Sequence, residues 1–543
     1  MIFPNPLSRR KFLGILAGSG TALLLAACQG NERPTIMPVV KPAQNTPSAM
    51  PAIKLPALEP ATFSHLPRWR GFNLLEKFIL ADNSPYLEWD FDAIAGWGFN
   101  FVRLPTDYRI WTDANGAFRE KPLQEIDQAV SWGRARHIHV NLCLHRAPGY
   151  CVNPPVEPLD LWADGSSGDQ ARQQFAAQWR MFAARFKGIP PNELSFNLVN
   201  EPADSITPAQ YLRAISSAVD AIRLEDPQRL VLADGLAWGQ KPVPELAPLK
   251  IAQAMHCYLP MELTHYKADW IAGSNRWPAP TWPLLSPAAI NPYLYGEEKP
   301  DIRSPLVLNG DFPAGAQVSI RVDMVSHQAN LQLRADGSLV FEKLFTPGAG
   351  AGEWKESTFK PEWNIYQATY DKVYTTTLST PAHALRFELS LGDWITISEI
   401  GVNPYPGAPG SSLALAAGDL EWGEPQQSYM LDPQGNLVVP NRSVRASKDT
   451  LWNELVVPWK ALADSGVSVH IGEWGAYSYT PQTVVLAWMK DCLENWQRAG
   501  FGWALWNLRG GFGLLDSERA DGNYEIYQGH QLDRAMLELL QKG

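Results

Sequence analysis

The 543-residue chain is short of cysteine, with only five, at positions 28, 143, 151, 257 and 492. No two of them form Cys-x-x-Cys and no stretch reads His-Glu-x-x-His, so the sequence points to no metal and no cofactor. Cys143, Cys151, Cys257 and Cys492 allow three complete pairings or none. Internal runs of Lys and Arg are also missing. With a formal net charge of -10 and one short basic cluster near the amino terminus, nucleic acid is excluded as a partner and a neutral or weakly charged ligand is favoured. Long apolar runs are absent too. The stretch from Leu13 to Ala27 falls short of the roughly 20 residues a membrane helix needs.

What the chain has is a series of short apolar runs rich in branched and aromatic residues. They are Arg70-Gly-Phe-Asn-Leu-Leu75, Phe99-Asn-Phe-Val-Arg-Leu104, Ile138-His-Val-Asn-Leu-Cys-Leu144, Leu194 to Val199, Leu230-Val-Leu-Ala233, Ile251-Ala-Gln-Ala-Met-His-Cys257, Val467 to Ile471 and Phe501-Gly-Trp-Ala-Leu-Trp506, each read as a strand. Several gaps between them carry apolar residues three and four apart, predicting helices over Gln170 to Phe186, Pro208 to Leu224 and Pro481 to Ala499. Eight strands alternating with helices predict an α/β fold, a parallel (β/α)8 barrel with its chemistry at the carboxyl ends of the strands.

Two glutamates fall there. Ser195-Phe-Asn-Leu-Val-Asn-Glu-Pro202 reads as a buried strand running into an Asn-Glu pair stopped by proline, and Val467-Ser-Val-His-Ile-Gly-Glu-Trp474 repeats the setting. Paired carboxyls are what hydrolysis of a glycosidic bond requires, one acid to protonate the leaving oxygen and one carboxylate to attack or to activate water. Taken alone, Asn-Glu-Pro also suits a turn or a helix start, Arg103 a structural ion pair, and His145 and His256 satisfied core histidines. His137 and His139, which alternate on the third predicted strand, read as structural.

In order along the chain, Arg70-Gly-Phe-Asn73, Val102-Arg-Leu-Pro105, His145 with Pro148-Gly-Tyr150, Asn200-Glu-Pro202, His256-Cys-Tyr258, Gly472-Glu-Trp474 and Trp503-Ala-Leu-Trp506 resemble glycoside hydrolase family 5, the cellulase-like retaining glycosidases. The resemblance covers roughly residues 65 to 270 and 445 to 540. It implies Glu201 as acid/base and Glu473 as nucleophile, with Asn200 on the sugar 2-hydroxyl and Arg103 holding Glu473 ionised. Tyr258 and His256 would orient the nucleophile and the acid, His145 would line the subsite at the cleaved bond, and Trp506 would offer a face to the sugar ring. The carboxyls of a retaining pair lie at about 5 to 5.5 Å and those of an inverting pair at about 6.5 to 9.5 Å. The expected substrate is a β-linked oligo- or polysaccharide, a glucan or a related mannan, xyloglucan or β-1,3-glucan, acted on by a monomer. The reading from another class is a non-catalytic glycan-binding surface lipoprotein. The 22 tryptophans exceed what a barrel core calls for and suit a protein that stacks on sugars.

Ser8-Arg-Arg-Lys-Phe-Leu13 resembles the twin-arginine export motif, and Leu25-Ala-Ala-Cys28 resembles the lipobox of bacterial lipoproteins. These imply a signal over 1–27, lipidation of Cys28, and a membrane-anchored protein facing the periplasm or the cell exterior. Residues 28–60, rich in Pro, Ala and Thr, read as a tether.

About 210 residues separate the sixth and seventh predicted strands, far beyond a normal loop. Between 301 and 409 the helical period gives way to strict alternation, as in Val318-Ser-Ile-Arg-Val-Asp-Met324, Leu385-Arg-Phe-Glu-Leu-Ser-Leu391 and Trp394-Ile-Thr-Ile-Ser-Glu-Ile400. This predicts an inserted jelly-roll-like β-sandwich splitting the barrel into 61–300 and 410–543. It serves either as a wall beside the cleft or as a sugar-binding module, for which Trp354, Trp363 or Trp394 would supply the rings.

Overall fold

The computed structural model describes residues 55–543 except 287–288, 409–411, 419–421 and 439–443. The signal, Cys28 and the part of the tether before residue 55 therefore lie outside the described residues. Among the described residues, no helix is long and apolar enough to cross a membrane.

Eight parallel strands close on themselves: β1 (Arg70–Asn73), β2 (Phe101–Asp107), β3 (His139–Ala147), β4 (Leu194–Asn197), β5 (Leu230–Asp234), β6 (Ala252–Cys257), β7 (Val469–Trp474) and β8 (Gly502–Leu505). Each pairs in parallel with its neighbours and β8 returns to β1. Parallel strands need crossovers, whose helices cover the outside, so the strands are apolar on both faces; β2 to β8 are buried throughout. The helix Pro208–Glu225 starts on a capping box, with Thr207 and Gln210 bonded reciprocally and Pro208 at its first turn, where a missing N–H costs nothing. The β5–β6 connection has no room for this: Pro244 and Pro248 hold Pro244–Leu249 in a 3-10 turn, because proline breaks the α ladder. His139 lies on β3 with its ring inside the barrel, whereas His137 is not on the strand; it takes the left-handed cap of the helix Glu120–Arg136.

The tryptophan count has a different cause from the one expected. Trp69, Trp111, Trp179, Trp459, Trp474, Trp488, Trp496 and Trp503 are among the largest fully buried side chains, so much of the excess fills the barrel and its helix layer. Trp270, Trp363 and Trp422 are exposed.

Between β6 and β7 in chain order the chain forms a separate ten-stranded sheet. Its strands run from Tyr293–Tyr295 to Leu437–Val438, beyond the alternating stretch 301–409 at both ends. Two long strands, Gln317–Ala335 and Ala382–Asn403, pair along their whole length. Their register slips between Ser326 and Ala329, opposite Gly392, and on either side of this bend they acquire different partners: Ile365–Thr377 on one half, Ser338–Phe345 and Leu306–Phe312 on the other. Bulges let a strand pass from one layer to another. Both halves feed one apolar core that includes Val318, Ile320, Leu331, Leu333, Phe387 and Ile395. The chain enters and leaves this region side by side, Leu284–Leu285 pairing with Val444–Ala446. Trp394 is buried against Tyr293 and Trp422, Trp354 packs at the edge of the core, and only Trp363 of the three expected rings stands in solvent.

Candidate active site

Arg103 on β2 has no exposure to water, and a buried guanidinium must find partners for all its donors. Its Nη1 donates to Glu473 Oε1 at 2.5 Å and to Asn73 Oδ1 at 3.1 Å. Nη2 donates to Asn200 Oδ1 at 2.8 Å and meets Cys143 Sγ at 3.0 Å, and Nε donates to Asn197 Oδ1 at 2.9 Å. Asp234 Oδ2 lies 3.7 Å away. Asn73, at the end of β1, is fixed through its own amide, which donates to the Gly472 carbonyl at 3.0 Å.

Glu473 ends β7. Its second oxygen accepts from the Tyr258 hydroxyl at 3.1 Å. Burial pushes this carboxyl up, but the positive field of His256 and Arg103 outweighs it and holds Glu473 below its ordinary range.

Glu201 follows β4 and takes φ 48°, a left-handed conformation that costs a non-glycine residue about 1–3 kcal/mol. Two bonds hold it there: its N–H donates to Asp234 Oδ2 at 3.0 Å and its carbonyl accepts from the Tyr150 hydroxyl at 2.7 Å. Burial, and then the charge of Glu473, push the Glu201 carboxyl up. Two neighbouring carboxyls are thus driven apart in acidity, the pattern that separates a proton donor from a carboxylate at one pH.

His256 lies between them. Nδ1 is 3.0 Å from Glu201 Oε1 and 3.7 Å from Glu473 Oε2, and Nε2 is 3.3 Å from Asp234 Oδ2. Desolvation lowers its pKa, yet Asp234 and Glu473 raise it to about 9, so the ring is a cation at neutral pH. One ligand-type atom each from Glu201, His256 and Glu473 fall within 4.8 Å of one another. A metal ion there would meet the charges of Arg103 and His256, so the donor set favours proton chemistry over cation binding.

His145 ends β3. Its Nε2 bonds Asn153 Oδ1 at 2.8 Å, and its ring stacks on Trp506 with centroids 5.8 Å apart; burial holds it at about 4, neutral at pH 7. The Asn200 amide nitrogen is buried with no hydrogen-bond partner, and a polar group left so is costly unless a ligand reaches it. The structure therefore gathers Glu201, Glu473, Arg103, Asn200, His256 and Tyr258 into one hydrogen-bonded set, with His145 and Trp506 stacked as a pair. Cys28 lies outside the described residues. The sequence reading gave no role to Asp234, Asn197 or Asn73, although Asn73 closes the motif Arg70-Gly-Phe-Asn73. Asp234 carried a usable signal, an acidic residue closing an apolar strand as Glu473 does.

A closed barrel of eight parallel strands with paired carboxyls of opposed acidity at its carboxyl end is an arrangement that glycoside hydrolysis can use. In the first part of the barrel, residues 67–282 match the family model described as Cellulase (glycosyl hydrolase family 5). Cellodextrinase A of Ruminococcus flavefaciens is 27% identical over 189 residues, 33% of this chain and 54% of the relative. Endoglucanase C of Acetivibrio thermocellus is 30% identical over 190 residues, 34% of this chain and 53% of the relative. The chain thus spans about half the length of the curated relatives it matches. A solved structure described as a glycoside hydrolase is 27% identical, with TM-score 0.55, and covers 88% of this chain and 99% of that one.

Proposed function

We propose that the protein hydrolyses a β-linked glucan with retention of configuration, through a glycosyl-enzyme intermediate. The observation that carries this is the close approach of two carboxyls pushed in opposite directions: an oxygen of Glu201 and one of Glu473 lie within 4.8 Å, with Glu473 held below and Glu201 above the ordinary carboxyl range. Single oxygens this close favour the separation of a retaining pair, about 5 to 5.5 Å between carboxyls, over the roughly 6.5 to 9.5 Å of an inverting pair. The printed names of the two relatives point to glucan chains as the substrate class.

In this mechanism a Glu473 oxygen attacks the anomeric carbon while the bond to the leaving oxygen breaks, and that oxygen takes both the bonding pair and the Glu201 proton. Glu201, now a carboxylate, then takes a proton from water. The water oxygen attacks the same carbon, and the Glu473 ester breaks to restore both groups. Arg103 and Tyr258 hold the carboxylate for attack, and His256 steers the Glu201 proton. Asn200, its amide nitrogen unpaired, is the donor for the sugar 2-hydroxyl, a bond that strengthens in the transition state. Trp506 and His145 form the floor on which the sugar ring rests.

Within this reading the signal over 1–27 exports the chain, Cys28 carries the lipid anchor, 28–60 tethers it, and the sheet around 301–409 is a module inserted in the barrel. Glu473→Ala abolishes turnover of every substrate because no intermediate can form. Glu201→Ala spares aryl glycosides whose leaving group needs no proton. Rates on activated and unactivated substrates, with NMR of the first-formed anomer, check both; equal losses in the two variants, or an inverted product, refute the mechanism. A panel of β-glucan, mannan, xyloglucan and β-1,3-glucan ranks the polymers.

A further inference from the structure

Asp234 closes β5 and takes no part in the bond-making steps, yet it lies wholly buried among the groups that govern the Glu201 proton. Its Oδ1 accepts from Asn197 Nδ2 at 2.8 Å and its Oδ2 from the Glu201 N–H at 3.0 Å. The same Oδ2 lies 3.3 Å from His256 Nε2 and 3.7 Å from Arg103 Nη2. Every one of these neighbours is a donor or a cation, the surroundings of an ionised carboxylate.

The turn that follows is strained. Ala237, Trp238 and Gly239 take φ 53°, 57° and 78°, three successive left-handed residues, which persist only where the surroundings impose them and which gather at functional sites. Gly239 packs on the His256 ring, since a Cβ there would stand 2.8 Å from His256 Cγ, and the Trp238 N–H donates to the Pro202 carbonyl at 2.9 Å. The segment after Asp234 thus backs His256 on one side and the neighbour of Glu201 on the other.

Charge in the cluster balances only with Asp234. Before reaction Glu473 and Asp234 are negative, Arg103 and His256 positive, and Glu201 carries its proton. In the glycosyl-enzyme the ester has removed the Glu473 charge and Glu201 has become a carboxylate, so the sum is again zero. The other titratable groups facing the cluster, Cys143, His145, Tyr150, Tyr258 and His470, are neutral at pH 7. Without the Asp234 charge both states would bury an unpaired cation, which is costly.

We propose that Asp234 is a positioning residue for the acid/base: it holds the Glu201 backbone in its left-handed turn and, as the fixed counter-charge of His256, keeps that ring a cation facing Glu201 in both halves of the reaction. The proposal rests on the glycosidase reading above and adds the group that balances its charges.

Exchanging two partners separates charge from shape. In the full chain carrying Asn197→Asp with Asp234→Asn, the amide at 234 donates to the carboxylate at 197 and offers its oxygen to Glu201 and His256. The hydrogen bonds are kept while the charge moves from His256 toward Arg103. His256 is followed by NMR of the 15N-histidine-labelled protein, its signal identified by its loss in His256→Gln. The wild-type ring is expected to keep both protons up to about pH 9, and the exchanged protein to lose one at least about one pH unit lower, a tenfold drop in proton affinity. Both limbs of the pH–rate profile on a β-glucan oligosaccharide then move to higher pH, because Glu473 and Glu201 each lose a cation that lowers them. Loss of the Asp234 charge itself opposes this at Glu201 but is the smaller influence. The kcat falls at least about tenfold, part of the roughly 10²–10⁴ that a placed acid supplies, and aryl glycosides that need no proton lose less. A merely structural aspartate would lower the profile without moving it. A wild-type ring that titrates near 6.5, an exchanged protein whose His256 titrates as in the wild type, or limbs that stay in place overturn the role; the wild-type titration decides the charge even if the exchanged protein does not fold. If the wild type cleaves no β-glucan while the His256 titration moves as described, the charge assignment stands and the catalytic reading falls.

Discussion

Arg103 shows how much of this site depends on one buried charge. It bonds Glu473, Asn73, Asn197 and Asn200 at once, so its loss leaves a carboxylate and three amides without their partner. Removing one member of a buried ion pair costs about 3–5 kcal/mol. Arg103→Met is therefore expected to lower stability by that order in denaturant titration. Among the variant molecules that fold, Glu473 loses a cation that lowers its pKa, so the acid limb of the pH–rate profile moves to higher pH. The basic limb, set by the raised Glu201, stays nearer its place. An unmoved acid limb in Arg103→Met contradicts the role given to the arginine. The glutamates were legible in the sequence because each closes an apolar strand; the role of Arg103 came through the family resemblance, since alone it suits a structural ion pair. Asn73 and Asn197 were not: a single asparagine in a short strand carries no mark of the partner it meets across a barrel, and both meet theirs only when β1, β2 and β4 lie side by side.

At the scale of elements, the eight barrel strands were legible because burial on both faces forces runs such as Leu230 to Ala233 to be apolar throughout. The second sheet showed where alternation is long, but its short members escaped. Tyr293–Tyr295 and Leu413–Ala416 are too brief for a period to register, and they join the sheet only because Ala382–Asn403 is long enough to recruit them. That strand turns between layers at Gly392, where φ is 97° and a Cβ would lie 1.9 Å from the Gln328 carbonyl oxygen. No side chain fits there without moving backbone, so Gly392→Ala is expected to destabilise the sheet by about 1–3 kcal/mol or more. The barrel strands touch none of this core. The variant should thus lose the sheet's part of a thermal transition and keep hydrolysis of a small aryl glycoside. Loss of that activity in step with the sheet would show instead that the two cores fold as one.

Across the whole molecule, buried histidines act in opposite directions on stability. His139 is stacked on Trp69 at 3.7 Å; its Nδ1 donates to the Asn192 carbonyl at 2.9 Å while Nε2, 2.6 Å from Ser195 Oγ, accepts. The neutral ring is satisfied and a second proton has no place, so burial holds His139 at about 3; His470 is likewise held at about 3 and His145 at about 4. The unfolded chain titrates histidine near 6.5 and so binds protons that the folded state refuses. Stability from these three is full above about 6.5 and falls as pH drops toward 3. His256 runs the other way. Its folded pKa of about 9 exceeds 6.5, so its contribution is full below 6.5 and lost as pH rises through 9. Each such histidine shifts stability by an order of a few kcal/mol, and the two sets together place the maximum near neutrality. Unfolding free energies from urea titrations across pH 4 to 9 are expected to peak between about 6 and 7. His139→Gln should flatten the acid side and His256→Gln the alkaline side. If His256→Gln leaves the alkaline slope intact, that ring is not the cation holding Glu201 and Glu473 together, and the charge balance of the site must be sought elsewhere.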